Sequence, residues 1–216
     1  MPVKLLDVAG LIPGACDGAG LGNQFLNDLC GAQALLHVVD ASGTTNEKGE
    51  VAKGYDPLRD VEWLTREIHM WIYNNLWKKW GGIARRHAAV KATAAQTLAL
   101  QLSGYGADLK LVQRALDRVK PAPVREPSKL EGWAEEQVHA VVDAFVAVRF
   151  PTVIVLNKCD HEDADANIAR ICAKYESLEA DAGDGIPRVV VASAASECFL
   201  RAKVAAGLIA YDGARG

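Results

Sequence analysis

The stretch Val153-Ile154-Val155-Leu156-Asn157-Lys158-Cys159-Asp160 decides the fold. Its first four residues are apolar and mostly β-branched, which predicts a strand that is buried in a parallel sheet. The next four residues end this apolar run abruptly with mostly polar side chains. Because open α/β sheets bind ligands at the carboxyl ends of their parallel strands, the loop 157–160 is a candidate ligand site. Taken alone, the same four residues also suit a polar turn that binds nothing.

The order Asn157-Lys158-x-Asp160 after a strand resembles the guanine-recognition motif of GTPases. The resemblance implies that the Asp160 carboxylate accepts hydrogen bonds from two adjacent guanine N–H groups. It also implies that the Lys158 stem lies over the base and that Asn157 ties the loop to its neighbours. Adenine lacks this pair of donors, so Asp160 would select guanine.

A second strand, predicted over 187–192, ends at Ser193-Ala194. The distance along the chain from Asp160 to Ser193 suits a strand–helix–strand crossover. Ser-Ala at this position resembles the second guanine-contacting loop of GTPases. The resemblance implies that a backbone N–H, assigned here to Ala194, donates to the guanine O6 atom.

Near the start of the chain, Asp7-Val8-Ala9-Gly10 ends a predicted strand over 3–9. These residues resemble the Asp-x-x-Gly motif that opens the switch II region of GTPases. The resemblance places Asp7 behind a Mg²⁺ ion, usually through a water, and directs the Gly10 N–H at the γ-phosphate. Leu11 stands where Ras-like enzymes have a water-orienting glutamine, so Leu11 is not expected to act as a catalytic base.

Three longer strings, 7–15, 20–26 and 193–201, are similar to Obg-type GTPases and above all to their YchF-like branch in archaea and fungi. This resemblance implies an α/β fold with an incomplete, P-loop-NTPase-like parallel sheet and a helical insertion. It divides the chain into a first part of the GTPase core at 1–58, the insertion at 59–149 and a second part of the core at 150–216.

The phosphate-binding loop of these enzymes requires Gly-x-x-x-x-Gly-Lys-Ser/Thr, and the sequence contains no Gly-Lys dipeptide. The family carries that loop and a central strand upstream of the Asp-x-x-Gly motif, so we expect an N-terminally truncated copy. Loss of that central strand should leave unpaired strand edges and an exposed apolar face. The sequence also predicts a strand at 34–40. The chain alone is then predicted to be poorly stable, unless the strands at 3–9 and 34–40 pair directly with each other.

The region from Arg59 to Arg149 has the apolar spacing of helices. One helix is predicted over 61–76, with a break at Gly81-Gly82, and a second, alanine-rich helix over 88–102. Ser128-x-x-Glu131 has the pattern of a capping box that opens a further helix.

Basic and acidic residues are unevenly distributed along the chain, which has a net charge of −3. The region 59–149 contains 14 Lys plus Arg and 10 Asp plus Glu, and its basic residues concentrate in Trp77-Lys78-Lys79-Trp80 and Arg85-Arg86-His87. Basic residues that alternate with aromatic ones can hold RNA phosphates and stack bases. The alternative is a solvated helix end whose two tryptophans pack inward.

These observations predict a GTP-binding protein that uses GTP/GDP and Mg²⁺ and hydrolyses GTP as a ribosome- or RNA-linked switch. The absent phosphate loop keeps a second hypothesis open, a nucleotide- or RNA-binding fragment that does not hydrolyse GTP. A third is a helical module that docks a partner through 59–149. Five scattered cysteines without a CxxC pair, no signal peptide and no long apolar run predict a cytoplasmic protein that does not enter the membrane.

Overall fold

A computed structural model describes residues 3–8, 28–119, 130–182 and 186–212. The chain divides into two compact units. The first contains Met1–Leu35 and Trp63–Pro151, and the second contains Leu36–Glu62 and Thr152–Gly216. The first unit is helical, and the second carries the sheet.

The described residues form three strands, β1 (Leu35–Asp40), β2 (Thr152–Asn157) and β3 (Arg188–Val191), in the spatial order β1-β2-β3. Strands β2 and β3 run parallel, with Val153 beside Arg188. Strands β1 and β2 also run parallel, because the Leu35 N–H donates to the Pro151 carbonyl where both strands begin and the Ala41 N–H donates to the Asn157 carbonyl where both end, each at 2.9 Å. The predicted α/β fold with a parallel sheet is confirmed.

One face of this sheet is buried against two helices. Helix α6 (Ala164–Ala182) crosses from β2 to β3, as the strand–helix–strand spacing predicts, and the first turns of α1 (Leu58–Trp77) pack beside it. The buried core residues come from β1, β2, α1 and α6: Val39, Ala41, Val61, Ile154, Leu156, Ala164 and Ile171. Burying these aliphatic side chains stabilises the sheet by about 1.5–3 kcal/mol for each larger one.

The opposite face of the sheet is exposed to solvent. Leu36 and Val38 of β1 are 59% and 61% exposed, and Val190 of β3 is 48% exposed. Since alternate residues of a strand point to opposite faces, these three lie on the side away from Val39 and Val189. Parallel sheets are normally covered on both faces, so the sheet carries the exposed apolar face that the sequence predicts.

The prediction of a strand over 3–9 is wrong for residues 3–8, the part of this range that the structure describes. Residues Val3–Val8 have no regular structure, and Val3 and Leu5 are 91% and 78% exposed. An apolar run forms a strand only when a neighbouring strand satisfies its N–H and C=O groups. In the described residues β1 pairs with β2 alone, so direct pairing between 3–8 and β1 is absent there.

In the described residues, the first unit contains most of α1, helical residues at 28–30, short 3₁₀ helices and four longer α-helices: α2 (Trp80–Val90), α3 (Ala94–Gln101), α4 (Leu109–Arg118) and α5 (Glu135–Arg149). The helix predicted over 61–76 is confirmed by α1. The break between α1 and α2 comes at Lys78-Lys79, earlier in the chain than predicted. Gly81 and Gly82, where the break was expected, lie inside α2. No helix in the described ranges is both long and apolar enough to cross a membrane.

Two predicted helix boundaries are wrong. The alanine-rich stretch 88–102 is two helices, because Lys91 adopts a left-handed conformation (φ 51°) and Thr93 caps α3 by accepting from the Gln96 N–H. The expected capping box at 128–131 does not open α5, since a short 3₁₀ helix occupies Leu130–Gly132 and α5 begins only at Glu135. Ser128 itself lies outside the described residues.

Of the two tryptophans of the basic segment, Trp80 is buried and Trp77 is half-buried. Trp80 is only 7% exposed and stacks between Trp77 and Trp133, with ring centroids 6.3 and 5.8 Å away. Trp77 in turn stacks on Tyr73. The inward-packed alternative is therefore confirmed for Trp80, and its ring is not available to stack on an RNA base.

Candidate functional site

The two loops predicted to contact a ligand meet at one edge of the sheet. The Ala192 N–H donates to the Leu156 carbonyl at 2.9 Å, which extends the pairing of β2 and β3 by one residue. The Cys159 N–H then donates to the Ala192 carbonyl at 3.2 Å. Because both strands end here, the structure brings together the loops 157–160 and 193–194.

Asp160 and Ser193 are joined across the two loops. The Ser193 hydroxyl donates to Asp160 Oδ1 at 2.5 Å. The same hydroxyl oxygen accepts from the Ser196 N–H at 3.0 Å and so caps α7 (Ala194–Ala205). The Ser193 hydrogen bond lowers the pKa of the Asp160 carboxyl below its ordinary value, so Asp160 is an ionised acceptor at the rim of the site.

Asn157 links the first loop to the second. Its side-chain Oδ1 accepts from the Ala194 N–H at 3.0 Å. The N–H that the sequence assigns to guanine O6 is therefore already engaged in this structure. A bound base would have to displace Asn157 from Ala194 or share its N–H.

Lys158 is one of two non-glycine residues with positive φ in the described part of the chain, at φ 63°. A residue with a β-carbon in this region is strained by about 1 kcal/mol or more, and such strain concentrates at functional sites. The Lys158 ammonium is held by Asp40, whose Oδ2 lies 2.6 Å from Nζ. The strained backbone and this ion pair together set the direction of the Lys158 side chain.

Asp40 is the most heavily hydrogen-bonded carboxylate of the site. Besides Lys158, it accepts from the Ser42 N–H and hydroxyl at 3.0 and 2.5 Å and from the Thr45 hydroxyl at 2.7 Å. Burial opposes ionisation, since the side chain is only 12% exposed. The hydrogen bonds outweigh burial and hold the pKa of the Asp40 carboxyl well below its usual range.

Asp40 belongs to this site through Lys158, although its position in the sequence did not predict this role. A usable signal was present, because Asp40 ends a buried strand just as Asn157 does. Neighbouring parallel strands end at the same edge of a sheet, so the two polar ends are expected to lie side by side. Recognising this required the strand order, which the sequence alone did not supply.

Gly43 follows Asp40 in a turn that only glycine fits. Its φ is +67°, and a β-carbon there would lie 2.3 Å from the Tyr55 carbonyl oxygen. Gly49, in the same loop, has a similar φ of +75° but open space around it. Substituting alanine at each glycine therefore distinguishes the cost of steric overlap, present only at Gly43, from the cost of backbone strain, present at both.

We expect Gly43→Ala to lower the free energy of unfolding by about 3 kcal/mol or more, because the new methyl group must displace backbone. Gly49→Ala is the matched control and should cost about 1 kcal/mol, the strain of a left-handed alanine alone. Urea denaturation of both variants measures the difference. Equal losses in the two variants would show that the contact with Tyr55 does not constrain this turn.

The sequence predicts Asp7 and Gly10 as the contacts of magnesium and of the γ-phosphate. Asp7 is exposed, lies in a segment without regular structure and belongs to the first unit, whereas both loops belong to the second. Gly10 and Leu11 lie outside the described residues. Within the described ranges, no cluster of three or more His, Cys, Asp or Glu side chains could hold a metal ion.

Comparison with known proteins identifies relatives of the chain. Residues 155–215 match a family model described as Obg-like GTPase YGR210-like, G4 motif-containing domain, and this range contains both loops. An uncharacterized GTP-binding protein of Schizosaccharomyces pombe is 49% identical over 98% of this chain and 48% of its own length. One of Methanocaldococcus jannaschii is 38% identical over 97% of this chain and 49% of its own length.

A solved structure shows the same fold. The crystal structure of a GTP binding protein from Pyrococcus horikoshii OT3 matches with a TM-score of 0.72 and 34% identity. The match covers 88% of this chain and 52% of that chain. The chain therefore spans about half the length of the relatives that it matches.

Proposed function

The chain is a relative of the Obg-like GTPases, and from this premise we propose that it binds guanine nucleotides through the loops 157–160 and 193–194. One observation carries the proposal, the hydrogen bond that joins Asp160 to Ser193 across the two loops. It presents an ionised carboxylate at the ligand-binding edge of a parallel sheet, beside the N-terminus of α7.

In this proposal Asp160 accepts from the two adjacent N–H donors of guanine. The Lys158 stem lies over the base, and its ammonium is anchored by Asp40. Guanine O6 takes an N–H at the start of α7. One donor is the Ala194 N–H, which would leave Asn157 Oδ1 and donate to guanine O6. The other is the next N–H along the helix, that of Ala195.

We further propose that the whole protein hydrolyses GTP to GDP. The roles carried over from the resemblance are Asp7 toward Mg²⁺ and Gly10 toward the γ-phosphate. A Mg²⁺ ion at a nucleotide site takes most of its ligands from water and phosphate oxygens, so the exposed Asp7 carboxylate would hold the ion through a water, and within the described ranges no cluster of three or more His, Cys, Asp or Glu side chains would hold it alone. No step of the proposal passes through the ion.

The competing function is a fragment that binds nucleotide without turnover, which the missing Gly-Lys dipeptide supports. A titration with fluorescent GTP, followed by measurement of phosphate release, separates the two. Binding with release of phosphate supports a GTPase, and binding without release supports the fragment. Absence of binding to any guanine nucleotide would refute both.

As the biological role we propose a cytoplasmic switch linked to ribosomes or RNA. Its support is charge, since residues 68–107 contain five Lys or Arg and no Asp or Glu. The buried ring of Trp80 removes part of the aromatic support for this link. Cosedimentation with ribosomes in GTP but not in GDP would support the link, and equal cosedimentation in both would contradict a switch.

A further inference from the structure

We propose that a groove between α2 and α3 docks an acidic amphipathic helix of a partner protein. The groove encloses about 450 Å³ and lies wholly within the helical unit. One wall is a stripe of α2 with helical spacing, at 83, 86, 87 and 90, and the other wall is a stripe of α3, at 96, 97, 100 and 101. The stripe on α2 is about 10 Å long, which matches two turns of a bound helix.

The groove is held open by local structure. Lys91 in its left-handed conformation and the Thr93 cap confine the connection between α2 and α3 to three residues. Inside the hairpin, His87 Nδ1 lies 2.8 Å from the Thr97 hydroxyl, and His87 is only 2% exposed. A preformed groove requires little ordering of this chain when a partner binds.

Aliphatic side chains at the groove are unusually exposed. Val90 is 69% exposed and Leu100 is 72% exposed, although both line the groove beside the buried Ile83. Large aliphatic side chains that line a concave surface are typical of grooves that receive the apolar face of a helix. No Phe, Tyr or Trp lines this groove in the described structure, and the His87 ring is buried, which disfavours stacking of nucleotide bases.

The charge around the groove selects an acidic partner. Arg86 lines the groove, and Lys91 adjoins two lining residues in the turn. In the described structure the lining contains no carboxylate, and none of the five Lys or Arg side chains of 68–107 forms an ion pair. An amphipathic helix with leucines on one face and carboxylates along its edges complements both properties.

The test measures fluorescence anisotropy of a labelled 18-residue helical peptide that carries Leu on one face and Glu on the other. We expect Arg86→Gln to weaken its binding to the full chain about tenfold. We expect Leu100→Gln to weaken it about fivefold. Arg114→Gln and Leu109→Gln, at exposed positions of α4 outside the groove, are the matched controls and should leave binding unchanged.

Two further probes make the result decisive, a peptide with Lys in place of Glu and a double-stranded RNA. The Lys peptide should bind at least about tenfold more weakly, because the site attracts carboxylates. The proposal is overturned if the acidic peptide does not bind, or if the control variants weaken it equally. It is also overturned if the RNA binds more tightly than the acidic peptide and loses affinity in Arg86→Gln but not in Leu100→Gln.

Discussion

Replacing Asp160 by Asn should lower the affinity for GDP about 100-fold, because the carboxylate that accepts two guanine N–H groups becomes an amide with one acceptor. The same amide offers an N–H donor, which suits the O2 oxygen of xanthine. Xanthosine diphosphate should therefore bind the variant more tightly than GDP does. Competition between the two nucleotides against a fluorescent analogue measures this reversal.

The control for this variant is Asp163→Asn. Asp163 is an exposed carboxylate three residues further along and forms an ion pair only with His161 among the described residues, at 3.8 Å. It changes the charge of the chain by the same amount without touching the two loops. Unchanged preference in Asp160→Asn, or an equal shift in Asp163→Asn, would remove Asp160 from base recognition.

Removing the Asp40 carboxylate should destabilise the fold and the site together. Asp40→Ala leaves the Lys158 ammonium without its partner and the Ser42 N–H without its acceptor. We expect a loss of about 2 kcal/mol in the free energy of unfolding, less than for a fully buried pair because Lys158 is 45% exposed. Glu62→Ala breaks the exposed ion pair with Lys174 and should cost under about 1 kcal/mol.

The effect of Asp40 should depend on pH in one direction. The pKa of its carboxyl is lower in the folded chain than the ordinary 3.8, so folding favours the ionised form. The stability that Asp40 contributes is fully present above that value and is lost as the pH falls from it toward the folded pKa. Denaturation of the wild type and of Asp40→Ala should give curves that converge in acid. A gap that widens on acidification would contradict the lowered pKa.

The double variant Asp40→Ala/Lys158→Ala tests whether the pair acts as a unit. If Asp40 serves to hold Lys158, Asp40→Ala should also weaken GDP binding, and the losses in affinity of the two single variants should not add. Affinity that is unaffected in Asp40→Ala would restrict the carboxylate to a role in folding.

Prediction from sequence succeeded where burial and periodicity determine the structure. Strand β2 is a short β-branched run with polar residues at its end, and α6 and β3 follow at the spacing of a crossover. The strand expected at 3–9 had a similar composition but finds no partner in the described residues. A single sequence shows which segment can be a strand, but not which neighbour satisfies its hydrogen bonds.

Local sequence signals can also conflict within one segment. The high alanine content of 88–102 predicts one continuous helix. The capping box Thr93-x-x-Gln96 instead starts a new helix, α3, within this stretch. The role of Asp40 is not predictable from local sequence, because its contact with Lys158 joins residues 118 positions apart in the chain. Such a pair becomes visible only when the order of strands is known.

The most direct test of guanine recognition omits the phosphates, since the loops at 157–160 and 193–194 are proposed to bind the base alone. Guanosine and adenosine should be titrated separately into the isotope-labelled chain, and the amide NMR signals of these two loops followed. We predict that guanosine shifts the signals of both loops in a saturable manner and that adenosine does not. Equal shifts with both nucleosides, or none with guanosine, would contradict the assignment of this site.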